Sequence, residues 1–185
     1  VEAHGMPQIR QIFPRKARQI DEALDLATTY AWNSFRNLQL LKTSDDTVTP
    51  VHQLIMDFID VPAVTDAHVE KIEKALGDIF AALLDPSLRK PNSKRFVIGK
   101  LLDHEENAYA FTLPMDVNRK IYLTEKFFLP NFDLYREHLS DAAFPINTHA
   151  RAATMIHEVS HIACSTEDIS YLDTSIPFVD LIGTA

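Results

Sequence analysis

The sequence predicts an α+β fold, mostly helical with a small antiparallel sheet, and three observations carry that prediction. Apolar residues recur at three- and four-residue intervals through the first half of the chain. Helical spacing then gives way to three short apolar runs between Phe96 and Phe127, and returns toward the C-terminus. Helices and strands are segregated rather than alternating, which argues against a parallel βαβ sheet. At 185 residues, with 46% hydrophobic and 24% charged side chains, the chain carries enough apolar surface for a real core and no disorder bias. Residues 1–185 read as a single domain, with residues 1–13 as an extension to it. The start at Val1 ahead of Met6 suggests an excised fragment.

The elements follow in order. From Pro14 to Leu41, Ile20, Leu24, Ala27, Ala31, Phe35 and Leu38 mark one face of a long amphipathic helix. Thr43 to Thr47 breaks it, and Pro50, at an early helical position, opens a shorter helix through Phe58. A third helix starts near Thr65 and Asp66, presents Val69, Ile72, Leu76, Ile79, Phe80 and Leu83, and stops at Asp85-Pro86. Three strands are expected at 96–101, 108–113 and 120–127, joined by turn-length segments 103–107 and 114–118 as an antiparallel meander. Residues 132–139 read as helical. A final helix begins near Asn147 or Thr148, either of which can cap it, and runs to about Ala163.

Charge and composition narrow the function. Eighteen Lys and Arg against 26 Asp and Glu give a net charge of -8, unfavourable for a phosphate backbone. The basic stretch Arg89-Lys90-Pro91-Asn92-Ser93-Lys94-Arg95 lacks interleaved aromatics and reads as a solvated loop, so no nucleic-acid partner is expected. Cys164 is the sole cysteine, which excludes an intrachain disulfide. No apolar run is long enough to span a bilayer, and no signal peptide is recognisable.

The segment Ala153-Thr154-Met155-Ile156-His157-Glu158-Val159-Ser160-His161-Ile162-Ala163-Cys164 carries the chemistry. Residues four apart on a helix lie one above the other, so His157 and His161 can direct two imidazole nitrogens at one metal ion. Glu158, about 100° round the helix, is placed as general base rather than ligand. Met155, Ile156, Val159, Ile162 and Ala163 make the rest of the helix apolar and imply burial, where unpaired imidazoles and carboxylates are costly. His149 lies two turns or ~12 Å from His157, too far to share the ion. A catalytic zinc needs a third protein ligand. No histidine follows His161 and no glutamate follows Glu167, and Cys164 and Glu167 stand where the metzincin pattern needs Gly and His. Cys164, Glu167, Asp168, Asp173 and Asp180 remain as candidates.

Residues 165–172, Ser-Thr-Glu-Asp-Ile-Ser-Tyr-Leu, resemble the Gly-Thr-x-Asp-x-x-Tyr-Gly signature that follows His-Glu-x-x-His in aspzincins, the deuterolysin and peptidyl-lysine metalloendopeptidase group. Thr166, Asp168 and Tyr171 match, whereas Ser165 and Leu172 replace the two glycines and alter the turn around Asp168. Lys120-Ile121-Tyr122-Leu123 with Phe127-Phe128 resembles the edge strand of that family, and Ala153-Thr154-Met155-Ile156 the start of its active-site helix. The resemblance spans residues 118–172. It implies a zincin-like domain holding one Zn2+ per chain, with Asp168 as third ligand and Tyr171 as hydrogen-bond donor to the oxyanion.

That ligand set gives a zinc endopeptidase in which Glu158 relays a proton from water to the leaving amine of a protein or peptide substrate. Lysine preference does not follow, since Asp173 and Asp180 read as solvated loop carboxylates. Strand 121–127 is expected to offer its edge to an extended substrate. The lone cysteine, the fragment-like ends and the resemblance together suggest a bacterial exported effector or toxin module. The rival reading is a catalytically silent, zinc-stabilised binding or scaffold domain in which Glu158 is a bystander.

Overall fold

Gly5 joins the first strand to the first helix with no linker. In the computed structural model, which describes residues 2–41, 50–59, 63–99, 108–128 and 146–166, Ala3–His4 (β1) runs straight into Gly5–Ile12 (α1). The turn demands φ +78° at Gly5, and a Cβ there would stand 3.0 Å from the Ser93 carbonyl oxygen, so only glycine fits. Met6 N–H donates to that same carbonyl at 2.7 Å. Ala3, Met6 and Ile9 are fully buried in the main core. Residues 3–12, read from sequence as an extension, therefore supply a strand and a helix to the domain.

Pro14–Leu41 (α2) is the spine, and α1 packs against it. Its predicted face is the buried one: Ile20, Leu24, Ala27, Ala31 and Leu38 are all in the interior. Pro50–Ile59 (α3) and Asp66–Leu83 (α4) also lie against α2. Trp32 meets Phe80 across the α2 and α4 junction, with ring centroids 5.2 Å apart. Thr65 caps α4 reciprocally, its hydroxyl accepting from His68 N–H and its own N–H donating to His68 Nδ1, both at 3.3 Å. Pro86–Arg89 (α5) follows, with Asp85 capping it.

The sheet departs from the expected meander. Phe96–Ile98 (β2), Ala110–Thr112 (β3) and Ile121–Leu123 (β4) join β1 in a four-stranded sheet of order β1-β2-β4-β3. β1 is antiparallel to β2, β2 is parallel to β4, and β3 is antiparallel to β4. The sheet is thus mixed. β4 is an inner strand rather than the substrate edge that the sequence suggested, and among the described residues β3 is the outermost strand on that side. The expected strand through Phe127 also stops early, because Glu125–Phe128 (α6) is helical and buries Phe127 and Phe128 together, ring centroids 5.1 Å apart. Burying both rings on one side needs helical geometry, since a strand sends neighbours to opposite faces.

Ile146–Cys164 (α7) closes the described core, packed on α2, α4 and β3. Ala152, Met155 and Val159 recur at three and four and are sunk into the core. Near its start, His149 stacks on Tyr30 of α2 and hydrogen-bonds its hydroxyl, which gives this histidine a structural role away from His157 and His161. Residues 132–139, predicted helical, lie outside the described residues. Among the described residues no helix is long and apolar enough to cross a membrane.

Candidate metal centre

The helical spacing of His157 and His161 does what i, i+4 geometry requires. Both lie on α7, and their Nε2 atoms approach to 3.2 Å with the rings nearly perpendicular, at 83°. Two imidazole nitrogens bound to one tetrahedral zinc are expected about 3.3 Å apart, from a Zn–N bond of ~2.05 Å. The observed separation therefore suits a shared ion.

The donor chemistry also fits. His161 Nδ1 stands 2.7 Å from the Thr166 carbonyl oxygen. A carbonyl only accepts, so Nδ1 carries a hydrogen, and the neutral tautomer that makes this contact has its lone pair on Nε2, the atom that faces His157. Metal-binding histidines characteristically have their second nitrogen tied in this way. Among the described residues no three His, Cys, Asp or Glu side chains converge on one point. Asp168 and Tyr171, the third ligand and oxyanion donor implied by the resemblance, lie outside the described residues, as do Glu167, Asp173 and Asp180. Cys164 is described, and it faces away from the pair: its Sγ lies 3.5 Å from the Ala75 carbonyl on α4, and burial pushes its thiol above the ordinary value.

α7 is half-sunk rather than enclosed, contrary to the burial expected from its apolar residues. His157 and Ala153 are exposed, because they sit opposite Ala152, Met155 and Val159, and His161 is half-buried. Glu158, by contrast, is only 3% exposed. The histidines thus face outward while the carboxylate next to them is withdrawn from bulk water.

Glu158 and His161 line one cleft of about 740 Å³, whose opposite wall is β3 and the loop that follows it. Sequence reasoning treated residues 114–118 as a plain turn, yet they form a built feature. Asp116 organises it: its carboxylate accepts from Asn118 N–H at 2.9 Å and Lys120 N–H at 3.2 Å, and from the Tyr122 hydroxyl at 3.4 Å. Arg119 closes the loop in the left-handed conformation, φ 49°, and its guanidinium donates to the Ile162 carbonyl of α7 at 3.3 Å. Arg95, half-buried, braces the same residue by donating to the Arg119 carbonyl at 2.6 Å. On this fixed backbone Met115 is 92% and Val117 93% exposed, and both border the cleft. The only signal in the sequence was an apolar side chain on either side of the turn aspartate.

The two residues after α7 were likewise missed as participants. Ser165 takes φ 54°, the left-handed region that glycine enters without steric cost, so this serine makes a turn of the kind its substitution for glycine put in question. Thr166, singled out only as a motif match, supplies the carbonyl on His161. Comparison with protein-family profiles, with curated proteins and with solved structures gives no match for this chain.

Proposed function

We propose that the protein is a zinc-dependent endopeptidase in which His157, His161 and Asp168 hold the ion, Glu158 moves the proton and Tyr171 donates to the oxyanion. The observation that carries this reading is the convergence of two Nε2 atoms at 3.2 Å on a helix whose His161 and buried Glu158 line one cleft. Zinc bound to such a donor set acts as a Lewis acid, making water more acidic and polarising a carbonyl. Glu158 accepts the proton of the attacking water and delivers it to the leaving amine, a relay worth roughly 10²- to 10⁴-fold. Its withdrawal from bulk solvent limits loss of that proton to water.

The sheet order supports a path for the substrate. Among the described residues β3 is the outermost strand beside α7, and an extended peptide adding to its outer side would pass Glu158 and His161. Leu113, Met115 and Val117 then offer apolar surface to a substrate side chain.

The test is turnover of an unstructured protein by purified material carrying one equivalent of zinc. Internal cleavage products, abolished by a chelator and restored by zinc, are expected. Stoichiometric zinc binding without cleavage would favour the scaffold reading instead.

A further inference from the structure

We propose that Ser165 and Thr166 are positioning residues: the left-handed turn at Ser165 brings the Thr166 carbonyl onto His161 Nδ1 and so aims the His161 Nε2 lone pair, with that of His157, at one ion. The inference rests on the zinc reading above and extends it to two residues beyond the His-Glu-x-x-His spacing.

A directed chain of hydrogen bonds carries it. The Ser160 hydroxyl donates its single proton to the His157 carbonyl at 2.7 Å. Its oxygen, 2.8 Å from Thr166 Oγ1, must then accept the Thr166 proton. That leaves Thr166 Oγ1, 3.2 Å from His161 Nδ1, able only to accept from the ring. The Thr166 carbonyl oxygen, at 2.7 Å from the same nitrogen, can only accept as well. The Nδ1–H of His161 thus faces two oxygens that only accept, and in the neutral ring this tautomer leaves the lone pair on Nε2. The Ser160 link joins the backbone of one histidine to the ring of the other, so the two are aligned as a unit.

The geometry requires the turn. α7 ends at Cys164, and only a reversal of the chain at the next residue puts a carbonyl two positions further on beneath a ring three residues back inside the helix. A serine at φ 54° is a costly way to end a helix, and such conformations persist where surrounding contacts enforce them.

The experiment pairs ¹⁵N ring shifts of His161 in zinc-free protein with zinc affinity by competition titration. In the wild type the neutral ring should show hydrogen on Nδ1 and a bare Nε2. Ser165→Val, β-branched and opposed to positive φ, should lower zinc affinity roughly 10- to 100-fold and mix the ring tautomers, with an unchanged helical circular dichroism spectrum. Ser165→Gly, which accepts the same φ, should keep the wild-type ring signature. Thr166→Val keeps the carbonyl but removes the hydroxyl, and should show a smaller loss of roughly 2- to 10-fold. A wild-type ring protonated on Nε2 overturns the positioning role, as does a folded Ser165→Val protein with wild-type ring shifts and affinity. If Ser165→Val fails to fold, the wild-type ring shifts and Thr166→Val decide the matter. A wild type that binds no zinc overturns the metal reading itself, a separate outcome.

Discussion

The two walls of the cleft are held in place differently. On the α7 wall the side chains themselves are fixed: His161 by Thr166, and Glu158 by burial on the core side of the helix. On the loop wall the backbone is fixed, by the Asp116 carboxylate and by Arg119 reaching to Ile162, while the side chains of Met115 and Val117 stand in solvent. Proton transfer and metal binding need atoms held to fractions of an ångström. Accommodating a substrate side chain needs only an apolar surface in a constant place. On the proposed function, the contrast puts chemistry on the helix and selection on the loop.

Changes to the residues proposed for the chemistry should therefore be severe. Replacing the proposed third ligand, Asp168→Ala, should lower zinc affinity by more than the roughly 10- to 100-fold typical of a supporting partner. Elemental analysis and competition titration measure this, and undiminished occupancy would shift the third ligand to Asp173 or Asp180. Tyr171→Phe keeps the ring and removes the donor, so kcat should fall roughly 10- to 1,000-fold with zinc affinity little changed. Unchanged kcat would confine the resemblance to the metal ligands.

Changes on the loop wall should be milder and of another kind. The double replacement Met115→Ser with Val117→Ser removes apolar contact surface, and should raise KM for an unstructured protein roughly 3- to 30-fold while leaving kcat intact. A matching fall in kcat would mean that the loop takes part in the chemistry and would erase the distinction between the walls.

The smallest effect concerns the loop's own order. Desolvation opposes ionisation of Asp116, but the N–H groups of Asn118 and Lys120 outweigh it and hold the carboxyl below its ordinary value. The folded loop thus favours the charged form. Its stabilisation is present above the unfolded value near about 3.9 and is lost as the pH falls through the lower folded value. Hydrogen exchange should show protection of the Asn118 and Lys120 amides declining below about pH 4, and Asp116→Asn should abolish that dependence. Protection independent of pH in the wild type would remove Asp116 as the organiser.

Legibility in the sequence followed the range of the interactions involved. The α2 face from Ile20 to Leu38, the Thr65 cap and the His157 and His161 pair depend on neighbours three or four residues away, so spacing reveals them. Sheet pairing is non-local. Nothing in Ala3-His4 signals a strand, and nothing in Ile121-Tyr122-Leu123 says that a partner lies on each side. The hydrogen bond acceptor on His161 is a backbone carbonyl, which any residue at position 166 would carry. Only the left-handed turn at Ser165 brings it there, and that conformation has no signature in a serine. Asp116 read as a turn residue, whereas its role as a hub depends on Tyr122 of the inner strand as well as on the loop itself.

The central claim is that Glu158 is the proton carrier of a metal-dependent hydrolysis, and Glu158→Gln tests it most directly. The amide is nearly isosteric but takes no proton. This variant should fold, bind one zinc with wild-type affinity and cleave an unstructured protein at least about 10²-fold more slowly. Wild-type turnover by the zinc-loaded Glu158→Gln protein would contradict it.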